Sequence, residues 1–205
     1  MKRMLAALMI LILGAPSAMA IEEPSFRLIK KEKDFEIRDY APVIVAEVTL
    51  SGDAVRARNA GFRPLAEYIF AEDRKGEKIA MTAPVTQSPR EKIAMTAPVT
   101  QAVGQGDSWT IGFTMPAKYT MATLPPPANP NVRLTEQPTK RMAVIRFSGS
   151  AGPDQMENKR RELTARLEAE GLKAVSAPTF AFYDAPWTPP FMRRNEVMVE
   201  VVVQP

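Results

Sequence analysis

Two residue types are missing from this 205-residue chain, cysteine and histidine. Without cysteine there is no disulfide and no lipidated-cysteine anchor, and without either residue there is no ordinary zinc centre. Ser-His-Asp and Cys-His catalytic sites are excluded on the same ground. Gly149-Ser150-Ala151-Gly152 is not a nucleophile elbow, and Gly104-Gln105-Gly106 lacks the third glycine and following helix of a dinucleotide loop. Carboxylate chemistry through Glu67 or Glu196 is all that is left to a catalyst. Scattered surface glutamates are the usual case, so the chain reads as a non-enzyme.

Long apolar runs are also scarce. Lys2 and Arg3 precede an apolar stretch from Met4 to Leu13, Gly14 and Pro16 break it, and Ala18-Met19-Ala20 supplies small residues around a cleavage point. Residues 1–20 are therefore expected to be a signal peptide cut after Ala20, leaving residues 21–205 as one domain in the periplasm or secreted. No later stretch approaches the roughly 18 consecutive apolar residues of a membrane span, so the mature chain is expected to have no transmembrane segment. Charge of one sign is missing too. Removing Lys2 and Arg3 from the 27 basic residues leaves 25 against 23 acidic ones, interspersed, which is not a nucleic-acid footprint.

What is present is a repeat. Glu77 to Gln87, EKIAMTAPVTQ, recurs letter for letter as Glu91 to Gln101 after Ser88-Pro89-Arg90. Each copy alternates Ile, Met and Val with Ala, Thr and Pro, which suits a half-buried strand. Pro84 and Pro98 cannot donate a ladder hydrogen bond and belong at an edge, a strand end or a bulge. The spacer is a turn signal, so the copies can fold back as the two arms of one hairpin. The duplication either lengthens that hairpin or duplicates a ligand contact. Two copies at this short period do not make a solenoid.

Around the repeat the chain reads as two similar halves. The first offers strands over Phe26 to Lys31, Phe35 to Asp39 and Val43 to Leu50, then Ser51-Gly52 and a helix opening at Asp53. The second offers Val132 to Glu136 and Met142 to Phe147, then Ser148-Gly149 and a helix opening near Pro153-Asp154. Each half returns to strands, the first through the repeat and Trp109 to Met115, the second through Thr179 to Tyr183 and Glu196 to Val203. In the second helix Met156, Leu163 and Leu167 form one stripe, and Gly171 is a natural stop. In the first, Val55, Phe62, Leu65, Ala66 and Ile69 share a face, and Pro64 predicts a break or kink near Gly61 to Pro64. Phe62, Leu65 and Ile69 are either plain core or one wall of a ligand pocket.

Two loops stand out. Met115 to Pro130 carries five prolines and reads as a stiff connection between the halves. Tyr183 to Arg194 combines Tyr183, Trp187 and Phe191 with Arg193 and Arg194. Rings beside guanidinium forks suit a flat ligand bearing carboxylates. The alternative is a loop packed over the barrel end with its arginines solvated.

Met81-Thr82-Ala83-Pro84-Val85-Thr86, repeated as Met95 to Thr100, resembles the signature hexapeptide of the SOUL family of haem-binding proteins. Phe62 to Ile69, Trp109 to Pro116 and Arg193-Arg194-Asn195-Glu196-Val197 resemble further family landmarks in family order, over nearly the whole mature chain. The resemblance implies an α+β fold, a distorted antiparallel β-barrel with two flanking helices and two pseudo-symmetric halves. It also implies that haem or another tetrapyrrole binds in an apolar groove, whose expected residues are Phe62, Leu65, Ile69, Tyr183, Trp187, Phe191, Arg193 and Arg194. The missing histidine rules out an axial histidine. Most of the 12 methionines fall in the leader, in strands or in helices, where filling core gaps is the default. Haem is then expected to be held by ring burial and propionate contacts with weak or no axial ligation, in a scavenger, buffer or carrier. The alternative is an effector or protein-interaction module using the same groove for another hydrophobic ligand.

Overall fold

The computed structural model describes residues 21–72, 75–89, 108–185 and 187–203, apart from the side chains of Pro89 and Val203. The expected leader and the second repeat copy lie outside the described residues. In chain order the elements are β1 (Phe26–Glu32), β2 (Phe35–Tyr40), β3 (Val43–Ser51), α1 (Ala54–Ile69), β4 (Val85–Pro89), β5 (Ser108–Thr114) and β6 (Arg133–Gln137). They continue with β7 (Lys140–Phe147), α2 (Pro153–Ala169), β8 (Leu172–Ala174), β9 (Thr179–Phe182) and β10 (Asn195–Val203), with a 3₁₀ turn at Pro190–Met192 before β10.

The ten strands form one curled antiparallel sheet in the order β1-β2-β7-β10-β9-β4-β5-β3-β6, with β8 also pairing β10. Between β9 and β4 the order reverses on itself, so that β2-β7-β10-β9 mirrors β6-β3-β5-β4. This is the pseudo-symmetry read from the sequence, with a difference. The halves exchange strands: β2 pairs β7 in the half of α2, and β6 pairs β3 in the half of α1. The Ser-Gly turns correspond closely, with Gly52 at φ 118° and Gly149 at φ 124°, a conformation open to glycine.

Alternation along each strand sorts side chains between two faces. Ala46, Val48, Ile111 and Phe113 face α1, where they bury Leu65, Tyr68 and Ile69. Phe35, Ile37, Ala143, Ile145, Val197 and Val199 face α2 and meet its stripe of Met156, Leu163 and Leu167. The intervening residues, such as Val45, Thr86, Thr110 and Met198, line the inside of the curl. Asp53 caps α1, its Oδ1 accepting from the amides of Val55 at 3.1 Å and Arg56 at 2.9 Å. At Gly61 the helix lies so close to β5 that a Cβ would sit 2.6 Å from Ile111 Cγ1.

Two local expectations are corrected. α1 runs through Pro64 without a break. The carbonyl that proline leaves unpaired belongs to Ala60, which is exposed to water. An Arg63–Glu67 bond of 2.8 Å spans the same turn, and the buried Leu65, Tyr68 and Ile69 hold it to the sheet. Tertiary packing outweighs the local cost of proline.

The repeat also behaves differently. Its first copy supplies β4 at the centre of the sheet, between β5 and β9, so both ladder edges of Val85 to Gln87 are filled. The first copy's hairpin partner is β5, and the two copies are not the paired arms of one hairpin over that stretch. Pro84 stands just before the strand, as a residue without an amide donor must. The Thr82 hydroxyl donates to the Thr114 carbonyl, and the Gln87 Nε2 donates to the Ala54 carbonyl at 2.7 Å. The first repeat copy thus ties α1 to the middle of the sheet.

Deleting Ser88 to Gln101 removes one period and joins Gln87 to Ala102. Ala102 and Val103 can then take the places opposite Thr110 and Trp109, with Gly104 to Ser108 available to close the connection, a length common in hairpins. The even deletion preserves side-chain alternation. The variant is expected to fold, with stability changed by about 1–3 kcal/mol in urea melts. Loss of cooperative unfolding would show that both copies are required.

Candidate functional site

The residues singled out by sequence separate into three environments. Leu65 and Ile69 point into the core beneath α1, packed with Ile79, Ile111 and Phe113. Phe62 is on the same helix but partly exposed, its ring edge-on to Phe113 at 5.3 Å between centroids. The loop after β9 carries the rest, with Trp187 85% and Phe191 78% exposed.

Where α1 meets the root of that loop, cationic and aromatic side chains come together. The Arg58 guanidinium sits 4.4 Å from the ring centroid of Phe182. Burial, and then the nearby charge of Arg193, lower its pKa. Among the described residues no carboxylate pairs with Arg58. Arg193 is positioned by its Nε donating to the Thr188 carbonyl at 2.7 Å. Arg58, stacked on Phe182, thus lies within reach of the charge of Arg193. Arg58 was not singled out by sequence, although it precedes Phe62 by four residues and so shares its helix face.

Arg194 is differently employed. Its guanidinium stacks over the Tyr183 ring at 3.5 Å and pairs with Glu23 at 2.6 Å. Its backbone amide donates to Asp184. It locks the loop to the N-terminal segment.

On the inner face of the sheet is a buried polar network that sequence reading missed. Arg38, 4% exposed, donates two bonds to Glu196, 2% exposed, at 2.8 and 3.0 Å. It also donates from Nε to Glu36 at 2.6 Å and to the Tyr40 hydroxyl at 2.8 Å. The Tyr183 hydroxyl donates to Glu196 at 2.7 Å, and Lys31 to Glu36 at 2.7 Å. Burial works against the charge of Arg38, but the Glu196 carboxylate overrides it and raises the pKa. Burial likewise opposes ionised Glu36, and the bonds from Lys31 and Arg38 bring its pKa below the usual value. The sequence signal was the i, i+2, i+4 spacing of Glu36, Arg38 and Tyr40, which places them on one strand face.

Burial raises the Tyr183 phenol well above the ordinary tyrosine range, helped by the charge of Glu196, and burial also raises Tyr40. Both groups hold their protons in the folded chain at a pH where the unfolded chain, near pKa 10, releases them. The unfolded state then binds fewer protons, so stability falls as pH rises above about 10. Tyrosinate absorbance during alkaline titration is expected to show these two phenols ionising only as the protein unfolds. Free titration of all four tyrosines near pH 10 in the folded state would contradict it.

The curl also encloses a cavity of about 240 Å³, lined by Tyr40, Val45, Thr86, Met142, Tyr183 and Met198 among others. It opens on an outer cleft of about 700 Å³ beside Glu22 to Ser25, with Pro24, Val43, Thr114, Gln137 and Pro138 lining both. No group of three or more potential metal ligands of the His, Cys, Asp or Glu types occurs among the described residues. Met115, Met142, Met156 and Met198 are buried in the cores, and Met192, 64% exposed, stands on the loop beside Phe191.

Solved structures share this fold at low identity. The C-terminal domain of EcmrR superposes with a TM-score of 0.59 at 12% identity, covering 83% of this chain and 98% of that one. An uncharacterized conserved protein from Listeria innocua gives 0.57 at 12% identity, covering 83% and 93%. A protein from the same organism described as a hydrolase gives 0.55 at 12% identity, covering 84% and 94%. At this identity the likeness is one of architecture. No curated protein matches the chain in sequence. The family model for SOUL heme-binding proteins matches residues 21–92 and 86–200, two segments that overlap at the junction of the repeat copies. With that match spanning both helices and the strands around them, the chain belongs to the SOUL heme-binding protein family.

Proposed function

We propose that this protein binds haem or a related tetrapyrrole on the surface between α1 and the loop from Tyr183 to Arg194, as a non-enzymatic periplasmic scavenger, buffer or carrier. Family membership supports the ligand class. The observation that carries the location is the stacking of Arg58 on Phe182, within reach of the charge of Arg193 and at the root of the loop that exposes the rings of Trp187 and Phe191. A porphyrin-like ligand offers the complement, a flat apolar disc with carboxylates at one edge. Arg58 and Arg193 would hold the carboxylates by charge-assisted hydrogen bonds, and Phe62, Phe182, Trp187 and Phe191 would cover the ring. Arg194 and Tyr183 would set the loop that presents them.

The donor set fits the periphery of such a group better than its metal. With no histidine or cysteine in the chain, the exposed thioether of Met192 is the neighbouring soft donor, so binding rests on ring burial and charge pairing. The group itself would supply the colour and redox chemistry of its iron.

Haemin titration of the purified protein tests the reading. A saturable Soret change at one equivalent is expected, with little spectral variation between about pH 5.5 and 7.5, where an unperturbed histidine would titrate. Replacing Arg58 and Arg193 together by Ala should weaken binding by about 1–3 kcal/mol without unfolding the chain. No Soret change, alongside binding of other apolar ligands, would favour an interaction module using the same groove.

A further inference from the structure

Among the described large hydrophobic side chains, the three with the greatest exposure are Trp187, Phe191 and Met192, and all stand on one loop within six positions. Single exposed apolar residues are ordinary, but three together on one projection mark a surface that something covers. Backbone hydrogen bonds brace the loop on either side of the tip. The Thr188 amide donates to the Ala185 carbonyl at 2.9 Å and the Met192 amide to Pro189 at 2.9 Å. Pro190 O accepts from both Arg193 N at 3.2 Å and Gly149 N at 2.9 Å, which fastens the loop to the turn before α2. Little conformational entropy remains to be lost when the tip is covered.

We infer that this tip docks on an anionic lipid bilayer, inserting Trp187, Phe191 and Met192 at headgroup depth. Charge complementarity selects that occupant. Arg193 follows Met192 directly and is held at the base of the tip by its Nε bond to the Thr188 carbonyl at 2.7 Å, Arg58 stacks on Phe182 at the root of the loop, and the loop's own carboxylate, Asp184, is engaged by the Arg194 backbone amide. Tryptophan and phenylalanine backed by arginine are the side chains that settle at the membrane interface, and the arginines add attraction to anionic headgroups. No helix among the described residues is long and apolar enough to cross a membrane, so the contact is peripheral. Three side chains and two cations make a shallow, reversible anchor that depends on anionic lipid. The inference does not rest on tetrapyrrole binding, because it concerns the ligand-free protein.

The test is flotation of ligand-free protein with phosphatidylcholine vesicles that contain or lack phosphatidylglycerol. Binding to the phosphatidylglycerol vesicles is expected, with a blue shift of Trp187 emission recorded in a Trp109→Phe background. The triple variant Trp187→Ser, Phe191→Ser, Met192→Ser should bind about tenfold more weakly or worse. Arg58→Gln with Arg193→Gln should remove the preference for phosphatidylglycerol. Circular dichroism checks that each variant is folded. Three outcomes would overturn the inference: no flotation of the parent protein, undiminished flotation of the folded triple variant, or a parent dimer that this variant dissociates while vesicles bind neither. The last would assign the tip to a second copy of the chain.

Discussion

Replacing Arg38 by Met is expected to lower the folding free energy by about 3–5 kcal/mol, a large share of a typical domain's stability. Among the described residues, Arg38 is the one cation bonded to both Glu36 and Glu196. Among the described side chains, removing it leaves Glu196 buried with the Tyr183 hydroxyl as its one donor, while Glu36 keeps Lys31 at the solvent edge. The penalty is that of an uncompensated buried charge rather than of a lost attraction. Joint replacement of Glu36, Arg38 and Glu196 by apolar residues of similar size should therefore recover much of the loss. Urea unfolding at constant m-value reads both outcomes. A single substitution costing under about 1 kcal/mol would mean that water reaches Glu196 and that the network is not sealed.

The second large effect separates core from binding surface. Leu65→Ala is expected to cost about 2–5 kcal/mol, because Leu65 is fully buried among Val48, Ile79, Ile111 and Phe113 and its removal opens a cavity beneath α1. Phe62→Ala, three residues earlier on the helix, removes a partly exposed ring and should cost much less stability while weakening haemin binding. Thermal melts and haemin titrations on the pair measure the two axes. If Leu65→Ala reduced affinity at unchanged stability, the pocket would reach under the helix.

What the sequence made legible is local. The Ser-Gly turns, the Met156, Leu163 and Leu167 stripe and most strand positions follow from side-chain periodicity and turn chemistry. Partner choice did not follow, because pairing β2 with β7 and β6 with β3 is settled by contacts distant in sequence. Nor did the fate of charged residues on strands. Glu36 and Arg38 alternate with Phe35 and Ile37, which on an ordinary two-faced strand signals a wet side. Here the curl turns that side inward, and each charge is matched across strands. The candidate site was half legible: the loop rings and arginines announce themselves by composition, whereas Arg58 gains meaning only when α1 is laid beside Phe182. Pro64 misled because local propensity is a weak term against a buried helix face.

The exchange of β2 and β6 bears on how the chain comes apart. Each half lends the other an outer member of its ladder, so neither half holds a complete complement of partners by itself. A cut in the proline-rich connection between β5 and β6 would leave one fragment with β2 but not β7, and the other with β7 but not β2. The two helices and their sheets should accordingly melt in a single transition, as one cooperative unit despite the doubled plan.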